Sequence, residues 1–149
     1  MLPNSEKVVK GFAIHPGDTI TASLANTGTV NSRRNKTQQQ VWTLSMTDLT
    51  TNKTWSTTVE YNSSLSSAEW IMEAPYNHGI LPLADYGTAT FDPGTADGVN
   101  PGLNTEQGVI MYDPQGQTSN VSAPDSDTDG FDAAWGNGTT LTTVSPPSS

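Results

Sequence analysis

From Val41 to Tyr61 the side chains change character at every second residue, a period that fits a strand and not a helix. Trp42, Leu44 and Met46 fall on one face, with Val41, Thr43, Ser45 and Thr47 on the other. The polar run Thr50-Thr51-Asn52-Lys53 supplies a turn, after which Trp55, Thr57, Val59 and Tyr61 alternate back. The pattern predicts a β-hairpin. Trp42 and Trp55 then lie on its two strands as one cross-strand pair in a core or cleft, with a sugar-stacking platform as the alternative.

Helical periodicity is not sustained over about 11 residues anywhere, so the chain reads as all-β. Pro16-Gly17-Asp18 is turn chemistry, and Thr19 to Leu24 reads as a strand. Further strands are expected at Ala68–Glu73, Leu81–Phe91 and Gly108–Tyr112, with shorter patterns at Phe131–Trp135 and Leu141–Val144. Between them, Asp92 to Glu106 is rich in Gly, Pro, Asn and Asp and reads as a long surface loop. Turn signals roughly 8–12 residues apart suit a sandwich or barrel. With 149 residues, about one domain's worth, the expectation is a single antiparallel β-sandwich over residues 1–145 and a frayed tail over 146–149.

Composition agrees and narrows the partners. The chain holds 15 Ser and 22 Thr, which compete for backbone hydrogen bonds in helices, and β-branched Thr favours strands. No run approaches the ~18 apolar residues of a membrane span. Fifteen acids against six bases give a formal charge of −9, which repels nucleic acid. The absence of Cys removes disulfides, zinc knuckles and thiol nucleophiles together. Five Asn-x-Ser/Thr sequons, at Asn35, Asn52, Asn62, Asn120 and Asn137, point toward secretion. Met1-Leu2-Pro3-Asn4 lacks the basic and apolar stretches of a signal peptide, which either denies secretion or means that the N-terminus of a secreted form lies elsewhere.

The stretch Ser66 to Pro75 concentrates the chemistry. On a strand, Glu69, Ile71 and Glu73 share one face and Ala68, Trp70 and Met72 the other. Two carboxylates four residues apart stand ~13 Å apart along a strand, too far for a shared-proton dyad or for either glycosidase spacing. A catalytic member of this pair therefore needs a partner from another strand; otherwise both are solvated acids. Elsewhere, Asp125-Ser126-Asp127-Thr128-Asp129-Gly130 resembles the opening of an EF-hand calcium loop, but Gly136 stands where the bidentate acid belongs. An ordinary acidic β-turn is the expectation there, calcium the alternative, and no metal ligand is assigned. His15 and His78, each beside a Gly-containing turn, are read as solvated. Neither GxSxG nor Asp-Thr/Ser-Gly occurs, which counts against serine-elbow and pepsin-like hydrolases.

Ala68-Glu69-Trp70-Ile71-Met72-Glu73 resembles the AEWIVE segment of the glutamic peptidases, the eqolisin family. Leu83-Ala84-Asp85-Tyr86-Gly87-Thr88-Ala89-Thr90-Phe91 is similar to that family's FADFGxVTF stretch. Ile14 to Ser23, with Gly17-Asp18 as a turn, resembles its I-x-x-GD-x-I strand pair. Leu49-Thr50-Thr51 matches its N-L-T-T-G turn and departs at Asn52, where the family often has Gly. The resemblance implies a concanavalin-like sandwich of two packed antiparallel sheets and an acid-active endopeptidase acting on protein or peptide. It implies that Glu73, last of its motif, is the catalytic Glu, paired with a Gln; Glu69 receives no role. No cofactor is implied. The family's Gln lies upstream of the I-x-x-GD strand, and Gln38, Gln39 and Gln40 do not match it by motif. The expectation is thus a C-terminal portion whose missing strands come from an N-terminal segment or chain, inactive when alone. A non-catalytic extracellular module, carbohydrate-binding or adhesive, is the rival reading.

Overall fold

Alternating Thr and apolar residues build the structure that their period foretells. The computed structural model describes residues 9–32 and 37–136, which form an all-β chain with two antiparallel sheets. The chain divides into two compact units, Met1–Ser66 and Ser67–Ser149, and each holds one sheet.

The first unit carries β1 (Ile20–Asn31), β2 (Gln38–Asp48) and β3 (Lys53–Glu60), in the order β1-β2-β3. The β2–β3 hairpin is present as predicted, but it closes at Asp48 opposite Lys53, so Lys53, expected in the turn, opens β3. On its apolar face Trp42 stands opposite Val59, Leu44 opposite Thr57, and Met46 opposite Trp55. The two tryptophans are therefore four positions out of register, about 13 Å along the strand, and do not form the expected pair. The opposite face is a hydroxyl surface, with Ser23 bonded to Ser45 at 2.7 Å and Thr47 to Thr54 at 3.2 Å. The first strand runs past the expected Leu24 because a bulge at Asn26–Gly28 absorbs one residue, with Gly28 at φ 139. Gln38, Gln39 and Gln40 lie within β2 opposite Asn31, Val30 and Thr29.

The hairpin turn hangs on one carboxylate. Asp48 has no exposed surface; it accepts the N–H groups of Thr50 (2.9 Å) and Thr51 (3.1 Å) and the hydroxyl of Thr51.

The second unit carries β4 (Thr88–Phe91), β5 (Met111–Tyr112), β6 (Thr118–Val121) and β7 (Phe131–Trp135), in the order β4-β7-β6-β5. Phe91 pairs with Phe131, and their rings stack at 5.1 Å. Only Thr88–Phe91 of the expected Leu81–Phe91 strand is laddered, because Asp85 accepts the Gly87 N–H (3.0 Å) and turns the chain, with Gly87 at φ 66. Only Met111–Tyr112 of Gly108–Tyr112 pairs, and β6, whose sequence Thr-Ser-Asn-Val is mostly polar, gives no strand pattern. The 92–106 loop is irregular as expected, with a bridge between Ala96 and Val99 and a 3-10 turn, Thr105–Gln107, boxed by Asn104. The expected strand Leu141–Val144 and the 146–149 tail lie outside the described residues.

Candidate functional site

Ala68 to Glu73 forms no strand, which corrects the expectation of one there. No N–H of residues 68–74 donates to a described residue, so the segment has no ladder partner there. Its side chains nevertheless keep a two-residue period. Glu69, Ile71 and Glu73 are exposed, while Trp70, Met72 and Ala74 are half-buried. The sequence pattern thus gave the faces correctly from Glu69 to Glu73, but not for Ala68, which is exposed, and gave the hydrogen bonding wrongly.

Ala68–Met72 forms one wall of a cleft of about 490 Å³ within the second unit. Met111, Val121, Phe131 and Ala133 of the sheet also line it. Glu69 and Gln107 both line this cleft; Glu73, one residue beyond Met72, does not. Gln107 accepts the Asn104 N–H at 2.8 Å through its carbonyl oxygen, which directs its amide N–H₂ elsewhere. Ser67 donates to Glu69 at 3.4 Å, whereas Glu73 has no partner among the described residues.

The neighbouring motif is pinned by a second buried carboxylate. Asp113, 6% exposed, accepts N–H groups from Leu83 (2.7 Å), Gln117 (2.8 Å) and Gln115 (2.9 Å). Trp135 Nε1 donates to the Leu83 carbonyl at 3.1 Å, and Tyr86 bonds Ser119 at 2.6 Å. These bonds fix Leu83 to Phe91 against β6 and β7. Asp85 is an exposed turn residue and not a strand residue.

The acidic turn gathers a ligand that its own sequence does not contain. Asp125 and Asp129 converge with Asp92, which lies 33 positions upstream of Asp125 and carries no motif of its own. Asp127 is exposed and outside the group. Burial, then the charges of Asp125, Asp129 and Asp127, push the Asp92 carboxyl up. His15 pairs locally with Asp18 at 3.4 Å and His78 is exposed, so neither joins a cluster among the described residues.

Sequence reasoning missed Asp92, Asp48 and Asp113, whose roles depend on chain closure. The one available signal was an Asp ahead of Thr-Thr or of Pro-x-Gly, since short acidic side chains accept turn N–H groups. Comparison with known proteins adds one match: the family model described as the Peptidase A4 family covers residues 1–145. No curated protein and no solved structure matches the chain.

Proposed function

This chain belongs to the peptidase A4 family, a peptidase and hence a hydrolase by membership, and from that premise we propose an acid-active glutamic endopeptidase with Glu73 as general base. The supporting observation is the exposure of Glu73 at the end of an unpaired segment whose Trp70 and Met72 are drawn inward. In this reading the ionised carboxylate takes a proton from the water attacking a peptide carbonyl and returns it to the leaving nitrogen. A neutral Gln amide, supplied by a segment that pairs alongside, donates to the developing oxyanion at any pH. Secretion belongs to the proposal. The Asn52 and Asn62 sequons are exposed, whereas the Asn120 amide is committed to Gly136 (2.5 Å) and Thr118 (3.1 Å).

The test is acid proteolysis of an unfolded protein, by the 149-residue chain and by a form joined to a Gln-bearing family segment. The chain alone should cleave nothing measurable, since losing an oxyanion donor costs about 100- to 1000-fold in rate. The joined form should cleave without inhibition by pepstatin, lose activity with Glu73→Gln and keep it with Glu69→Gln. Activity that survives Glu73→Gln but not Glu69→Gln would move the base to the carboxylate lining the cleft. A joined form that binds saccharide and never cleaves would favour the binding-module reading.

A further inference from the structure

The β4–β7 pairing ends at Phe91 and Phe131, which sets Asp92 beside Gly130 at one corner of the second sheet. The turn before β7 brings Asp125 and Asp129 to the same corner. Asp92 Oδ1, Asp125 Oδ2 and Asp129 Oδ1 are each buried and accept no hydrogen bond. One carboxylate oxygen from each residue lies within 4.8 Å of the other two. Asp125 is only 4% exposed, so its free oxygen faces inward and not toward water.

The local backbone does not serve these oxygens. The Asp125 N–H goes to the Gly130 carbonyl (3.0 Å) and the Gly94 N–H to the Asp129 carbonyl (2.7 Å). The Asp129 N–H reaches Asp125 Oδ1 (3.1 Å) and leaves Oδ2 open. Gly130 keeps the corner hollow: a Cβ there would stand 2.5 Å from Asp125 Oδ2 and 2.8 Å from Asp92 Oδ1. Nor is there a side-chain cation nearby in sequence, because residues 67–149 contain eleven Asp and Glu and no Lys or Arg. Three converging, desolvated carboxylates with no ion-pair partner among the described residues are strongly unfavourable.

We propose that Asp92, Asp125 and Asp129 form a divalent-cation site of the calcium type. Carboxylate oxygens are hard ligands, which disfavours zinc and copper relative to alkaline-earth ions. Three protein carboxylates at one point suit Ca²⁺, which takes six to eight oxygens in flexible geometry; Mg²⁺ retains water and uses one or two. The ion ties the end of β4 to the turn entering β7. Trp70 lies on the same corner, since a Cβ on Gly94 would stand 3.3 Å from its ring, so the ion stiffens the floor beneath the Ala68–Glu73 segment.

Calorimetric titration of the metal-free 149-residue chain with CaCl₂ at neutral pH tests this. One saturable site is expected, with a dissociation constant between about 10⁻⁶ and 10⁻³ M. The melting midpoint should rise with calcium and fall back with EDTA. Asp92→Asn and Asp125→Asn should each weaken binding about tenfold or more, while Asp127→Asn, which removes a neighbouring charge and no ligand, weakens it less. Absence of both heat and midpoint shift at millimolar calcium overturns the site. Loss of binding in Asp127→Asn with retention in Asp92→Asn overturns the ligand set in favour of a linear loop. Each Asn substitution relieves repulsion, so these variants should fold without calcium. If they melt above the parent even at saturating calcium, the cluster is a site of strain and the proposal fails.

Discussion

Asn52 stands at φ 56 in the β2–β3 turn, in the left-handed region that an L side chain enters at a cost of about 1–2 kcal/mol. Asn tolerates that region because its short polar side chain bonds locally, and Gly has no Cβ to clash. The one departure from the family's turn pattern is therefore an exchange between the two residues that suit the same backbone. Substitution tests this directly. Asn52→Gly should leave the urea midpoint close to the parent, whereas Asn52→Val should lower stability by about 1–2 kcal/mol. Equal midpoints for Gly and Val would mean that the turn relaxes out of the left-handed region. Elsewhere at this scale, Asp48 and Asp113 show how much of the buried interior is polar. Among the described residues the buried hydrophobic side chains are Leu83, Ala133 and Ala134, fewer than the buried polar ones.

Elements were legible where both partners lay close in sequence. The β2–β3 hairpin has its turn, its alternation and its pairing within about twenty residues, although the polar run placed the turn one residue too late, since Lys53 already pairs with Asp48. Ala68–Glu73 has the same alternation, but alternation reports which side chains face inward and says nothing of whether a neighbouring strand exists. The same limit hid β6, whose Thr118 and Ser119 are buried by long-range pairing against an otherwise polar pattern. The candidate site divides likewise. The exposure of Glu73 was readable from the spacing of Trp70 and Met72, whereas Asp92 joins Asp125 and Asp129 only through the β4–β7 ladder. Hydrogen exchange separates ladder from mere alternation. Amides of residues 68–74 should exchange near the rate of unstructured chain, and those of Thr43 to Met46 far more slowly. Strong protection over residues 68–74 would reveal a pairing partner for the segment.

Charge is spread unevenly along the whole molecule, with all six Lys and Arg before residue 54 and eleven of the 15 acids after residue 66. Discharging exposed carboxylates as pH falls toward 4 relieves this repulsion and favours the folded state. Two buried carboxylates, one in each compact unit, oppose that trend. The Thr51 hydroxyl holds Asp48 below the ordinary 3.8; burial acts against it, and the Thr51 and Thr50 N–H groups and Lys53 add to it. Burial pushes Asp113 up, but the N–H groups of Leu83, Gln117, Gln115 and Gly116 outweigh it and hold the carboxyl below 3.8. A depressed carboxyl contributes stability that is complete above its unfolded value and lost as pH falls through its lower folded value. Both anchors are therefore intact between about pH 5 and 4 and are lost only below about 3.8. Asp48→Asn and Asp113→Asn should each melt below the parent at neutral pH, because a turn that needs an acceptor at both oxygens receives an amide. The gap should hold down to about pH 4 and close beneath it, as the parent's own carboxyls protonate. Melting midpoints of the three proteins from pH 7 to 2 give the answer. A gap already closing near pH 6, or still open at pH 2, would show that ionised Asp48 and Asp113 do not anchor these turns.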